Sequence, residues 1–283
     1  MVLDLVMSKS MDMGKGIPWT HNKVLEDLDF ADDLCLLAKS AADIQEKLSR
    51  LATQAQKVGL KINNGKTKHM QIKDQRPTSL LLDGEPIETV DQFCYLGSKI
   101  SPDGGTDLDV ESRINKARGA FIAMRPIWLS QNIATKTKIK LFDSNVKSVL
   151  LYGSETWKVT VNVTHRLQTF VNRCLRNILR IWWPNTISNE ALWERTNEKP
   201  IAQQIKHRKW KWISHTLRRP AGHIPKEAFE WSIQGRRPRG RPRITWKRTI
   251  VKELTTKGKT WQDARVLAED RSQWRSFVEA LCS

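Results

Sequence analysis

Adjacent carboxylates at the apex of a short apolar hairpin can hold a divalent metal ion, and one stretch of this 283-residue sequence has that make-up. In Leu25 to Ser40, LEDLDFADDLCLLAKS, the apolar runs Leu25 to Phe30 and Leu34 to Leu37 flank Ala31-Asp32-Asp33. Such runs around a polar pair read as two strands and a turn, although so few residues also allow a helix. In the hairpin reading, the turn projects Asp32 and Asp33 while the strands anchor them. Nucleotidyl transfer by the two-metal route needs carboxylates that hold two Mg²⁺ ions about 3.5–4 Å apart. Mg²⁺ takes hard oxygen ligands, usually one or two carboxylates plus substrate phosphates. An isolated Asp-Asp at a turn is most often only a solvated turn, so the surrounding sequence has to decide.

The elements around this pair are partly legible. Ile44, Leu48, Leu51, Ala55 and Val58 recur in steps of four, three, four and three, which predicts a helix with one buried stripe. Asp43 lies near its start and Gly59 at its stop. Leu60 and Ile62 alternate with Lys61 and Asn63, predicting a strand, with Asn63-Asn64-Gly65 as a turn and Met70-Gln71-Ile72 as the returning strand. Asp83-Gly84 predicts a second hairpin between Leu80-Leu81-Leu82 and Pro86-Ile87, which leads into Phe93-Cys94-Tyr95-Leu96-Gly97 and a loop at Ser101 to Gly105. Beyond residue 106 the period becomes helical. Val110, Ile114, Ala117, Phe121 and Met124 form a stripe with Arg113, Lys116 and Arg118 on other faces, and further helices are expected over 136–152, 163–181, 203–219 and 260–281. The expected fold class is α+β.

Composition separates the two ends. Residues 1 to 100 hold 13 Lys and Arg against 14 Asp and Glu, a net of −1, whereas residues 101 to 283 hold 35 against 16, a net of +19. Eleven of the twelve tryptophans also fall in the second part. Charge so distributed points to a polyanionic partner for the C-terminal portion, because phosphate contacts release counterions and supply most non-specific affinity. Cys35, Cys94, Cys174 and Cys282 sit far apart, no pair has the close spacing of a zinc site, and neither a disulfide framework nor a catalytic thiol is indicated. No apolar run is long enough to span a bilayer. Asp4, Lys9 and Asp12 interrupt the apolar stretch Met1 to Met13, so a reducing compartment is expected.

The ordered set of motifs resembles the palm and following regions of reverse transcriptases from non-LTR retrotransposons. The resemblance begins at LEDLDFADDLCLL, continues to GLKINNGKTK and FCYLGSKIS, and extends through LLYGSETW, WKWISHTLRR and RRPRGRPRITWKR. It implies a partial palm over 1–72, a primer-grip-like hairpin and the start of a thumb over 73–135, a helical thumb over 136–190, and a basic nucleic-acid-binding region over 191–283. It also implies an RNA template, a DNA primer, a Mg²⁺ cofactor, and a ribonucleoprotein of nucleus or cytoplasm. Asp32 would bind catalytic metal with Asp33 as the less direct partner. Lys66 would lie near the incoming nucleotide, unless it is only a solvated turn lysine. Tyr95, Leu96 and Gly97 would position the primer strand, with core packing the other reading of Tyr95. A complete palm of this family needs a further, upstream aspartate, and only 31 residues precede Asp32. The chain by itself is therefore expected to bind Mg²⁺ weakly and to extend no primer. Gly65-Lys66-Thr67 is not a phosphate-binding P-loop, because five residues separate Gly59 from Gly65 where that motif needs four.

From Arg180 to Arg248 there are 17 Lys and Arg against five Asp and Glu, interleaved with Trp182, Trp183, Trp193, Trp210, Trp212, Trp231 and Trp246. Aromatic rings can stack on unpaired bases, but the irregular spacing places most of these in a helical core. Arg236, Arg237, Arg239, Arg241 and Arg243 lie in a Gly/Pro-rich segment that reads as an extended basic linker. Arg239-Gly240-Arg241-Pro242 resembles an AT-hook core for a narrow minor groove, while generic phosphate or RNA contact is the preferred reading.

Overall fold

A computed structural model describes residues 2–11, 14–20, 23–72, 78–231 and 245–282. The fold is α+β, as expected, and among the described residues the strands are short and lie in the N-terminal part. Two compact units form. The first comprises the described residues up to Gly105 with Glu230 and Trp231; the second comprises 106–229 and 245–282.

The first unit holds two helices, α1 (Val2–Ser10) and α2 (Ala41–Lys57), and, among the described residues, five two-stranded ladders. Four are antiparallel: β1 (Ile17–Thr20) with β2 (Lys23–Leu25), β3 (Asp27–Phe30) with β4 (Asp33–Leu36), β6 (Leu81–Leu82) with β7 (Glu85–Pro86), and β9 (Phe93–Tyr95) with β10 (Ser98–Ile100). The fifth is parallel, β5 (Lys68–His69) with β8 (Glu88–Thr89). Helix α2 starts where Ser40 accepts the Asp43 N–H at 3.2 Å and stops before Gly59, whose φ of +76° suits the residue after a helix end. Leu48, Leu51 and Ala55 are buried as the periodicity predicts. Leu51 and Ala55 pack with Val6, Met7 and Met11, and Leu48 packs with Leu80, Leu82 and Ile87. Each such leucine contributes about 1.5–3 kcal/mol by leaving water. Val58 instead sits exposed at the helix cap.

The strand expected at Leu60 to Asn63 does not form. The Leu60 N–H donates to Ala55 O at 2.9 Å as part of the helix ending, and Asn63 folds the next residues into a turn by accepting the Lys66 and Thr67 N–H groups. With those groups engaged locally, β5 pairs with β8 instead of with a preceding strand. The hairpin at Asp83-Gly84 forms as expected, both residues having positive φ (52° and 85°), the requirement of the tight hairpin turn whose twist matches its strands. A second turn of this kind at Leu96-Gly97, with φ of 48° and 79°, makes β9 and β10 a hairpin. Gly16 approaches the chain entering β3 so closely that an added Cβ would lie 2.1 Å from Leu25 O and 2.8 Å from Glu26 Cα. We therefore expect Gly16→Ala to lower stability by about 1–3 kcal/mol or more, as overpacking against backbone does. A chemical-denaturation midpoint checks this, and an unchanged midpoint would contradict it.

The second unit is helical: α3 (Asp107–Ala123), α4 (Arg125–Leu129), α5 (Thr135–Leu141), a π-helical turn Phe142–Lys147, α6 (Ser148–Leu150), α7 (Val161–Ile178), α8 (Asn189–Thr196), α9 (Ile201–Leu217), α10 (Ile224–Glu230), α11 (Trp246–Thr255), α12 (Trp261–Glu269) and α13 (Arg271–Cys282). The stripe of α3 turns inward on a core with Phe142, Val146, Leu167, Val171 and Leu175. A second core gathers Trp210, Ile213, Ile250, Leu254, Trp274 and Val278. Arg113, expected on a face other than the apolar stripe, is buried, 4.0 Å from Asp109 and stacked over the Tyr152 ring at 4.3 Å. The single helix expected over 260–281 is broken at Asp270. That carboxylate accepts the Ser272 and Gln273 N–H groups at 2.7 and 3.1 Å, which starts a new helix and holds its carboxyl below the usual range.

Candidate functional site

The predicted hairpin is β3–β4. Asp27 pairs with Leu36, Leu28 with Cys35, Asp29 with Leu34 and Phe30 with Asp33, leaving Ala31 and Asp32 as a two-residue turn. Asp33 is thus the first residue of the returning strand and not part of the turn itself. Ala31 has φ of 56°, a left-handed conformation that costs a residue with a Cβ about 1–2 kcal/mol. Asp32 and Asp33 are exposed, and the neighbouring Phe30 is 66% exposed. The carboxylates therefore stand open to solvent beside an apolar ring.

Directly opposed residues of a ladder share a face. Leu34 and Leu36 pack on the core of α1 and α2, so Asp29 and Asp27 lie on that same face. Burial pushes the Asp27 carboxyl up, Asp29 adds to this, and the Lys47 ammonium opposes it. Leu28, Phe30, Asp33 and Cys35 lie on the other face, and the Tyr95 hydroxyl donates to Leu28 O at 3.0 Å. Hence β9 is fastened to β3, which brings Tyr95 to the aspartate hairpin. Burial first, then Cys35 and the Asp29, Asp33 and Asp27 carboxylates, push the Tyr95 phenol up. It stays protonated and donating. Gly97 sits in the turn beyond.

The base of the hairpin is held by a residue that the sequence reading did not single out. Lys47 on α2 is fully buried and donates to Glu26 O at 3.1 Å and Leu37 O at 2.8 Å, one residue outside each strand. Its ammonium lies 3.4 Å from the buried Glu26 carboxylate, which also accepts the Lys15 N–H at 2.9 Å. The Leu37 N–H closes the base by donating to Glu26 O at 2.7 Å. A signal existed: Lys47 falls three residues after Ile44 and four before Leu51, inside the apolar stripe. A lysine there must either break the stripe or find buried partners.

Lys66 is exposed on the separate turn at Asn63, and no ion pair joins it to Asp32 or Asp33 among the described residues. Asp32 and Asp33 offer hard oxygens of the type and number that Mg²⁺ usually takes from protein. Among the described residues, no three His, Cys, Asp or Glu side chains are grouped as a metal cage. Arg236, Arg237, Arg239, Arg241 and Arg243 lie outside the described residues.

The tryptophans divide. Trp210, Trp128, Trp157 and Trp274 are buried, and Trp193, Trp212 and Trp246 are packed against the cores, as the sequence reading expects for most of them. Trp231 stacks on Trp19 at 5.4 Å. Trp182 and Trp183 are the departure, 57% and 87% exposed. Among the described residues, no helix is long and apolar enough to cross a membrane.

Residues 120–152, from the end of α3 through α6, match a family described as a domain of unknown function (DUF6451). A transposon-derived protein of Caenorhabditis elegans is 28% identical over 274 residues, covering 91% of this chain and 96% of that protein. The chain is therefore similar, across both compact units, to a transposon-derived protein.

Proposed function

We propose that this chain is part of a retrotransposon RNA-directed DNA polymerase in which Asp32 and Asp33 supply one half of a two-metal site. The observation that carries the reading is the exposed aspartates at the hairpin apex, Asp32 in the turn beside strained Ala31 and Asp33 opening the returning strand, fixed from below by buried Lys47 and from the side by Tyr95. Strain at an exposed polar apex persists only where the surroundings impose it, and such imposition is common at functional positions. Similarity to a transposon-derived protein supports the same origin. In this reading Asp32 holds the metal and Asp33 shares its charge. Bound Mg²⁺ would neutralise charge on the phosphates of the incoming nucleotide. Tyr95 and Gly97 would set the primer strand against the hairpin, and Lys66 would place a cation near the departing pyrophosphate. The partners are an RNA template and a DNA primer.

The test is a Mn²⁺ titration of the whole chain, followed by paramagnetic broadening of amide signals. Broadening should centre on residues 29–35 and vanish in Asp32→Asn with the fold intact. Broadening elsewhere, or unchanged in Asp32→Asn, would remove the metal role. A second reading, a non-enzymatic nucleic-acid-binding protein with a vestigial aspartate turn, is favoured by the net charge of +19 lying wholly beyond residue 100. Tight nucleic-acid binding that ignores both divalent metal and Asp32→Asn would select it.

A further inference from the structure

In the second unit, α3 and α7 flank an open groove of about 590 Å³ whose lining includes Arg118, Arg166 and Arg173 with the amides of Asn115 and Asn177. Arg118 and Arg173 are exposed. Arg118 is held by Asn115 at 3.1 Å, and Glu111, the one acidic group among the described residues that line the groove, lies 3.9 Å from Arg166. Arg166 to Asn177 spans roughly 17 Å of helix at about 1.5 Å per residue. Between Glu155 and Glu190 the sequence has no acidic residue and five cationic ones, Lys158, Arg166, Arg173, Arg176 and Arg180.

This basic helix runs directly into the exposed tryptophans. The loop that carries them is tied at both ends. The Ile181 N–H donates to Arg176 O at 2.9 Å, and the Arg176 guanidinium donates to Ile187 O at 3.2 Å and to Asn189 at 2.8 Å. Arg180 donates to Leu129 O at the end of α4. Ile181 and Ile187 pack on the core, so the intervening Trp182 and Trp183 are held outward. Two adjacent indoles kept in water on a pinned loop are costly unless something covers them.

We propose that the α3–α7 groove and the Trp182–Trp183 pair form one binding site for single-stranded nucleic acid, the arginines following the phosphates and the indoles stacking on unpaired bases. The inference rests on the nucleic-acid-binding reading above and adds a location and a strand preference. Charge complementarity favours a polyanion over an apolar protein segment. Stacking requires bases whose faces are free, which a duplex does not offer, and it accepts any sequence because every base has a π-face.

The experiment measures fluorescence anisotropy of a labelled oligo-dT strand and of a labelled duplex of equal length with the whole chain. The double variant Trp182→Ala/Trp183→Ala should weaken single-strand binding by about 30-fold or more, with duplex binding within about twofold. Trp182→Tyr/Trp183→Tyr should restore most of the loss. Arg118→Gln/Arg166→Gln/Arg173→Gln should flatten the log–log salt slope for the single strand by about 2, at roughly 0.7 per phosphate contact. If the parent chain binds neither probe, the nucleic-acid reading fails and this site with it. If the parent binds and the tryptophan variant binds equally well, only this site is overturned. Loss of self-association in that variant, with strand affinity unchanged, would likewise overturn it and give the indoles to a protein contact.

Discussion

Lys47→Met lowers the stability of the first unit by about 3–5 kcal/mol, the cost of leaving a buried charge without its partner. Methionine keeps most of the lysine volume, so the loss is not a cavity effect. What disappears is the ammonium that satisfies Glu26 O and Leu37 O and faces the buried Glu26 carboxylate. Because the partner charge causes much of the penalty, Lys47→Met/Glu26→Gln should recover part of it. Equilibrium denaturation of the three proteins measures this, and a single substitution costing under about 1 kcal/mol would show that the pair does not hold the hairpin. The same loss should slacken the base of β3–β4. Faster amide exchange at Leu37, whose N–H bonds Glu26 O at 2.7 Å, would register it.

Replacing Arg236, Arg237, Arg239, Arg241 and Arg243 together with alanine has the largest expected effect on binding. If all five meet phosphates of a duplex, the log–log salt slope flattens by up to about 4.5, at roughly 0.9 per contact. Between 50 and 200 mM salt the parent should then lose up to ~500-fold more affinity than the variant. The effect should be uniform across sequences, since phosphate contacts carry no base information. A loss confined to A·T-rich duplexes would instead favour the AT-hook reading of Arg239 to Pro242. Unchanged affinity at moderate salt would take the segment out of the interface.

The apolar periods of α2 and α3 read correctly. The α2 stripe and the α3 stripe both face inward, and β3–β4 and the Asp83-Gly84 turn form where alternation and turn residues place them. Short apolar runs read less well. Leu60 and Ile62 alternate like a strand, but the helix ending before them already uses the Leu60 N–H. Leu96-Gly97 makes a tight hairpin although leucine seldom takes a left-handed φ. Thr260 to Leu281 carries one helical period, yet Asp270 finds backbone donors two and three residues on and restarts the helix.

The sequence by itself determined the mixed fold class, the aspartate pair at a turn, and the separation of a near-neutral end from a strongly basic one, because local propensity, turn chemistry and charge are properties of neighbouring residues. Only the tertiary structure decided that Lys47 anchors the hairpin, that Tyr95 joins it through Leu28, and that, of the described tryptophans, Trp182 and Trp183 stand more than half in water. Those facts depend on segments distant in sequence meeting in space. Whether a buried lysine finds carbonyls or an indole finds a core is settled by packing, which no local pattern records.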